Sequence, residues 1–177
     1  MTPLSEIRLV VFDFDGVFSD NRVWTNDRGE ESVACFRGDS AGLRRLDEVG
    51  VDYFILTSET NDAVLARARK IRAECIRGIE DKLPILTTEL ERRGVAPEVT
   101  AYVGNDINDA ECLAAVGLPV VPSDAWAEVM PLAGMVLTRA GGHGCVREFC
   151  DAVWNANRVA RGVTQRSPAR PGRAGGG

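Results

Sequence analysis

The stretch Arg8-Leu-Val-Val-Phe-Asp-Phe-Asp15, followed at once by Gly16, decides the fold of this 177-residue chain. Its run of apolar residues is typical of a strand that is buried on both faces, as in a parallel sheet. Similar apolar runs alternate along the chain with amphipathic segments of helical period, which indicates alternating strands and helices. The sequence therefore predicts an α/β fold with a doubly wound, Rossmann-like parallel sheet.

A short hairpin is predicted directly after the first strand. Strand-like stretches at 22–25 and 32–36 flank Asn26-Asp-Arg-Gly29, whose residues favour a tight turn. The segment between Asp15 and Thr57 has room for this hairpin and one helix, so we expect no cap domain. Further along the chain, a helix is predicted over 124–133.

Charge divides the chain into an acidic domain and a basic tail. Residues 157–177 contain five arginines, no acid and several Pro and Gly residues, so a disordered tail is expected after one domain over 1–156. Taking this +5 away from the net charge of −5 leaves about −10 on the domain. So negative a domain argues against a nucleic-acid partner.

Composition also indicates the compartment. The apolar runs are too short to cross a membrane, and the N-terminus has no basic segment followed by an apolar one. Five cysteines without a CxxC pair favour free thiols over a zinc site or a disulfide framework. We therefore expect a cytoplasmic protein without a membrane partner.

Polar residues are predicted to collect at one edge of the sheet. The carboxyl ends of parallel strands meet there, and open α/β proteins bind ligands beyond them. Carboxylates at such close range repel one another unless a cation neutralises them, and hard oxygen ligands select Mg²⁺. The residues at these strand ends, or at the start of a following helix, are Asp13, Asp15, Thr57, Ser58, Lys82, Asn105, Asp106 and Asp109.

This grouping resembles the haloacid dehalogenase superfamily of aspartate-nucleophile phosphatases, over about residues 6–156. The short hairpin and Gly141-Gly-His-Gly144 are similar to its capless branch. Members of that branch hydrolyse 3-deoxy-D-manno-octulosonate 8-phosphate or sialic-acid-type 9-phosphates. The four superfamily motifs are matched in order by Asp13-Phe-Asp15-Gly-Val, Thr57, Lys82 and Gly104-Asn-Asp106-Ile-Asn-Asp109.

The resemblance implies a catalytic role for four residues. Asp13 is the expected nucleophile, which forms an aspartyl-phosphate, and Asp15 is the expected general acid and base. Thr57 is expected to bind a phosphate oxygen. Lys82 is expected to balance the negative charge of Asp13 and of the phosphoryl group.

The resemblance also implies a Mg²⁺ cofactor held by Asp13, Asp15 and the fourth motif. That motif departs from the common form, because Asn105 stands where many members have an aspartate. An amide oxygen can bind a metal but brings no charge. Asn105, Asp106 and Asp109 therefore all remain candidate ligands.

The expected substrate is a 2-keto-3-deoxy sugar acid phosphate. Glu59, with Arg67 and Lys70 on the next helix, resembles the pattern of enzymes for nine-carbon 9-phosphates, which favours that class slightly over the eight-carbon 8-phosphate. Ser58 and these three residues are the expected sugar contacts, although Arg67 and Lys70 also fit a solvated helix face. In capless relatives a neighbouring subunit completes the pocket, so the resemblance implies a homotetramer.

Two other functions remain open. A non-enzymatic receiver-type phospho-acceptor also clusters Asp, Thr and Lys around Mg²⁺, but it places its accepting Asp after the third strand. A phosphatase-like domain retained for oligomerisation beside an acylneuraminate cytidylyltransferase is conceivable because of Asn105. His143, among glycines, is either a turn residue or a contact to a neighbour's site.

Overall fold

Six parallel strands form the central sheet of the computed structural model, which describes residues 1–162. A separate two-stranded hairpin follows the first of them. The strands are β1 (Leu9–Phe12), the hairpin strands β2 (Ser19–Thr25) and β3 (Glu31–Cys35), then β4 (Asp52–Leu56), β5 (Glu74–Ile76), β6 (Thr100–Val103), β7 (Leu118–Val121) and β8 (Met135–Val136). The helices are α1 (Asp39–Val49), α2 (Asp62–Ile71), α3 (Lys82–Arg93), α4 (Ala110–Ala115) and α5 (Cys145–Ala160).

Strand β1 lies in the middle of the sheet, whose order is β5-β4-β1-β6-β7-β8. Leu9 pairs with Asp52 of β4 on one side and with Thr100 of β6 on the other. The chain builds one side of the sheet first and then crosses to the other, so the end of β1 lies at the point where the strand order reverses. The predicted doubly wound parallel sheet and the hairpin insert are confirmed.

The core forms on both faces of the sheet, and β1 contributes to each. Val10 and Phe12 pack on the face that carries α1, α2 and α5, whereas Leu9 and Val11 pack on the face that carries α3 and α4. This division follows from the two-residue period of a strand. All four β1 side chains are fully buried, as the apolar run predicts.

One predicted helix and one predicted domain boundary differ from the structure. The predicted helix over 124–133 is wrong, since that segment contains turns and one 3-10 turn at Met130–Leu132. Pro131 cannot occupy a helix interior, and the Trp126 N–H donates to the Asn105 carbonyl instead (2.9 Å).

At the C-terminus, α5 continues to Ala160, past the predicted domain end at 156, because Asn157 is buried against the fold. The predicted tail from residue 163 onward lies outside the described residues. Among residues 1–162, no helix has the length and apolar character needed to span a membrane.

Asp39, the first residue of α1, is a fully buried carboxylate. One of its oxygens accepts the N–H of Arg147 (3.2 Å), while Oδ2 has no hydrogen-bond partner among the described residues. Burial raises its pKa from 3.8 to about 6, against the lowering effect of that hydrogen bond and of the Arg67 and Arg147 charges. The folded protein therefore holds this proton more tightly than the unfolded chain.

We expect Asp39→Asn to stabilise the fold at neutral pH. Because the folded-state pKa is raised, the Asp39 contribution to stability is lost as pH rises from about 4 to about 6, and the neutral amide avoids that loss. The gain should be about 1–3 kcal/mol near pH 7.5 and should shrink near pH 4.5. Urea unfolding at both pH values measures it, with Asp27→Asn on the exposed turn as control. A gain that does not depend on pH would contradict this account.

Candidate active site

A small polar cavity of about 150 Å³ opens at the carboxyl ends of β1, β4 and β6. It lies where the strand order reverses, which is the position expected for a ligand site in this architecture. Its lining residues are Asp13, Asp15, Asn21, Thr57, Ser58, Asn105, Asp106 and Asn108. All of them except Asn21 and Asn108 are residues that the sequence predicts for the site.

Lys82 lies directly beneath this cavity. Its Nζ is 2.9 Å from Oδ1 of Asp13 and 2.7 Å from Oδ1 of Asp109, and its side chain is fully buried. Burial alone would lower the pKa of Lys82, but the two carboxylates outweigh burial and raise it. Lys82 is therefore a fixed positive charge immediately behind Asp13, as the resemblance implies.

Asp109 holds this lysine in place. Its Oδ1 also accepts the Tyr102 hydroxyl (2.8 Å), and its Oδ2 accepts the backbone N–H groups of Asn105 (2.9 Å) and Asp106 (3.3 Å). Both oxygens are thus engaged below the cavity and neither lines it. The side chain thus positions Lys82 and the loop after β6, and a role of Asp109 as a metal ligand stays a prediction.

Asp13 and Asp15 occupy different environments although they are two residues apart. Asp13 is buried, and burial together with the nearby Asp109 raises its pKa to about 7, against the lowering effect of Lys82. Asp15 is half-buried and its pKa is also raised by burial, while the Ser19 hydroxyl donates to it (2.8 Å) and lowers the pKa. A raised pKa and partial exposure suit Asp15 to proton transfer.

Asn105 presents an unsatisfied oxygen to the site. Its Oδ1 is buried and has no hydrogen-bond partner among residues 1–162. The amide packs against Gly16, where a Cβ would lie 2.0 Å from Nδ2, so this turn requires glycine for space as well as for its φ of +75°. An orphaned amide oxygen beside the Asp13 carboxylate and the half-buried Asp106 is a donor set that fits a hard divalent cation.

A second cavity of about 230 Å³ adjoins the first and shares Asp15 and Asn21 with it. It extends between the hairpin and the start of α2, and Glu59 lines it. Arg67 and Lys70 line neither cavity: the Arg67 guanidinium donates to the Phe36 carbonyl (2.8 Å), and Lys70 is exposed. Within one chain the structure thus brings only Ser58 and Glu59 of the four predicted sugar contacts to the cavities.

Two cavity residues, Asn21 and Asn108, were missed by the sequence analysis. Asn21 adopts a left-handed backbone with φ of 62°, which asparagine tolerates better than most residues. Asn108 donates from Nδ2 to the Ser58 hydroxyl (3.4 Å) and so joins two strand-end loops. The sequence features that could have indicated these two residues are the Asp20-Asn21 pair just before the predicted hairpin and Asn108 as the second amide of the fourth motif.

His143 forms a local contact between its Nδ1 and the Gly141 carbonyl (2.7 Å), as a turn residue does.

Comparison with known proteins gives strong sequence matches. The chain is 36% identical over 152 residues to the 3-deoxy-D-manno-octulosonate 8-phosphate phosphatase of Salmonella typhi, covering 85% of this chain and 81% of that protein. No protein-family model matches the chain.

Solved structures match over a similar span. The phosphatase of the same description from Yersinia pestis has a TM-score of 0.85 and 34% identity, covering 90% of this chain and 86% of that one. The enzyme from Moraxella catarrhalis, solved with magnesium, phosphate and the octulosonate sugar, has a TM-score of 0.84 and 27% identity. That alignment covers 90% of this chain and 93% of the Moraxella chain.

We expect Asp109→Asn to destabilise the protein by about 2–4 kcal/mol. The amide would remove the ion pair with Lys82 and would turn one of two engaged acceptor oxygens into a donor that faces other donors. Tyr102→Phe removes a single hydrogen bond to the same carboxylate and should cost about 0.5–1.5 kcal/mol. Urea unfolding of both variants compares them. A smaller loss for Asp109→Asn than for Tyr102→Phe would contradict the assigned role.

Proposed function

Because the chain belongs to the haloacid dehalogenase superfamily of phosphatases, we propose that it hydrolyses a 2-keto-3-deoxy sugar acid phosphate through an aspartyl-phosphate on Asp13. The observation that carries this proposal is the ion triad beneath the cavity, in which Lys82 is held between Asp13 and Asp109. The relatives support the substrate class, since they are named as phosphatases of such a sugar acid.

A divalent cation, Mg²⁺ as the first choice, is the proposed cofactor. The Asp13 carboxylate, the Asp15 backbone carbonyl and the orphaned Asn105 oxygen would hold it, with Asp106 at the open side of the cavity. When bound, it would neutralise charge on the phosphoryl oxygens and lower the pKa of Asp13. The Moraxella structure with magnesium supports this choice.

In the first proposed step, an Asp13 carboxylate oxygen attacks phosphorus and the bond from phosphorus to the sugar oxygen breaks. Asp15 gives its proton to that oxygen as the sugar leaves, a role that its raised pKa and partial exposure suit. The Thr57 hydroxyl, which lies at this cavity, holds a phosphoryl oxygen. Lys82 keeps Asp13 oriented and balances the charge of the pentavalent transition state.

In the second step, Asp15 takes a proton from a water molecule, whose oxygen attacks the phosphorus of the aspartyl-phosphate. The bond from phosphorus to Asp13 breaks, phosphate leaves, and both carboxyl groups return to their starting states. The leaving sugar and the attacking water must occupy the same side of phosphorus in turn. Asp15 lies between the two cavities and can reach that position in both steps.

For the sugar, the eight-carbon 8-phosphate is the first candidate because the relatives carry its name. The nine-carbon class, favoured by the sequence pattern, is the second candidate. It is supported by Glu59, which lines the second cavity of about 230 Å³, hereafter the sugar-side cavity because the proposed sugar would lie there. Arg67 and Lys70 could contribute to that cavity only from a second copy, since within one chain they lie elsewhere.

Activity of Asp13→Asn tests the nucleophile. We expect the wild type to release phosphate from the eight- or nine-carbon sugar acid phosphate when Mg²⁺ is present. Asp13→Asn should reduce kcat by about 10³-fold or more, because an amide cannot attack phosphorus. Asp27→Asn on the exposed turn is the matched control and should match the wild type. Equal release from wild type and Asp13→Asn would refute the mechanism. It would also favour the oligomerisation-domain alternative if both rates were at background.

We further propose a cytoplasmic homotetramer in which the hairpins meet. The hairpin forms its own two-stranded sheet, and its Val23 and Trp24 side chains are 49% and 67% exposed. Five free cysteines are typical of a reducing compartment. Light scattering should give the mass of a tetramer for the wild type, and Trp24→Glu should weaken the assembly. A stable and fully active wild-type monomer would contradict this proposal.

A further inference from the structure

The hairpin strand β2 contains an irregularity beside the sugar-side cavity. Ser19 pairs with Cys35 and Val23 pairs with Val33, so the three residues Asp20–Arg22 oppose the single residue Ala34. The Asp20 carboxylate accepts the Arg22 N–H (3.2 Å), and Asn21 between them has a left-handed backbone. Bulges of this kind near active sites redirect a side chain out of the regular alternation of the strand.

Arg22, the last residue of this bulge, lines the cavity. Among the cavity residues it is the only one with a positive charge, while Asp15, Glu31 and Glu59 are acids. Within residues 1–162 its guanidinium has no carboxylate at ion-pairing distance. A single free guanidinium is thus available to a ligand in an otherwise acidic cavity.

Two acids of the cavity wall, Glu59 and Glu31, accept hydrogen bonds from residues at the start of α2. Glu59 accepts the N–H groups of Thr60 and Asn61 at the start of α2, and the Asn61 amide donates to Glu31 of β3 (3.0 Å). This link joins the hairpin to α2. These hydrogen bonds hold Glu59 and Glu31 in place, and their carboxylate oxygens can accept hydrogen bonds from sugar hydroxyls.

The leaving group must lie in this cavity. Asp15 is shared by the two cavities, and the proposed mechanism requires it to touch the oxygen that joins sugar to phosphorus. With the phosphoryl group on the Asp13 side, the sugar extends past Asp15 and Asn21 toward the hairpin. A 2-keto-3-deoxy sugar acid carries its phosphate at one end of the carbon chain and its carboxylate at the other.

We propose that Arg22 binds the substrate carboxylate from within the same chain and so selects sugar acids over neutral sugar phosphates. This inference rests on the proposed function, since it needs a substrate with a carboxylate remote from the phosphate. The planar guanidinium can donate a hydrogen bond to each of the two carboxylate oxygens at once. Arg22 is a specificity residue and takes no part in the transfer of phosphorus.

The test compares two substrates across three variants. The substrates are 3-deoxy-D-manno-octulosonate 8-phosphate and a pentose 5-phosphate, which has a phosphate and hydroxyls but no carboxylate. Arg22→Gln removes the charge, Arg22→Lys keeps it without the planar fork, and Arg28→Gln removes an exposed charge from the hairpin turn away from the cavity. Melting curves establish that all three are folded to the same extent.

We expect Arg22→Gln to raise KM for the sugar acid phosphate about 10- to 100-fold, the loss expected for a hydrogen-bonded charge pair. The value of kcat should change little, and activity on the pentose phosphate should stay within about twofold of wild type. Arg22→Lys should give an intermediate KM, and Arg28→Gln should behave as wild type.

Two results would overturn the proposal in distinguishable ways. If the wild type prefers the sugar acid phosphate and Arg22→Gln keeps that preference, the Arg22 assignment is wrong and the proposed function stands. If the wild type hydrolyses both substrates equally well, the proposed substrate class is wrong, and the Arg22 assignment falls with it.

Discussion

A buried lysine between two carboxylates is the constraint on which the active site depends. Lys82 starts α3, Asp13 follows β1 and Asp109 follows β6, so one triad joins three elements at the point where the sheet changes direction. Burying three charges is costly, and the arrangement is retained only if each is paired and hydrogen-bonded. Tyr102 and two backbone N–H groups complete the hydrogen bonds of Asp109. Asp13, the proposed nucleophile, is therefore held by contacts below the cavity that do not depend on a substrate.

The same triad explains how the chain can carry Asn105 in place of an acid. Asp13 and Asp109 already share the one positive charge of Lys82, so a further carboxylate at position 105 would add repulsion at the cavity. The neutral amide still offers a buried, unpaired oxygen. Such a site keeps the oxygen ligands that a hard cation requires while it carries one negative charge fewer.

Much of the fold and the centre of the site could be predicted from the sequence. Fully apolar strands such as β1 are recognisable, and parallel strands must bring their carboxyl ends together, so Asp13, Thr57 and Asn105 were predicted to meet. The positions of side chains on helices and irregular strands could not be predicted in this way. Whether Asp109 points up to a cation or down to Lys82 depends on how the turn after β6 begins, and its capping hydrogen bonds decide that.

The hairpin gave the weakest sequence signal, although it carries Arg22, the proposed specificity residue. A period of two cannot reveal a bulge that sets three residues against one, so the sequence did not predict Asn21 and Arg22 as cavity residues. Conversely, the helical spacing of Arg67 and Lys70 suggested a shared role, but a guanidinium can reach a nearby carbonyl as easily as a ligand, and Arg67 contacts the Phe36 carbonyl. Arginine side chains are long, and spacing along a helix does not fix where they end.

Chemical trapping of the intermediate tests the central claim most directly. Asp15→Asn removes the base that activates water. With p-nitrophenyl phosphate as substrate, whose leaving group needs no proton from Asp15, the phosphorylated enzyme should therefore accumulate after mixing in the presence of Mg²⁺. Borohydride then reduces an aspartyl-phosphate to homoserine, which peptide mass spectrometry locates. The account predicts homoserine at position 13 alone, dependent on substrate. Homoserine at another aspartate, with Asp13 unmodified, would contradict it.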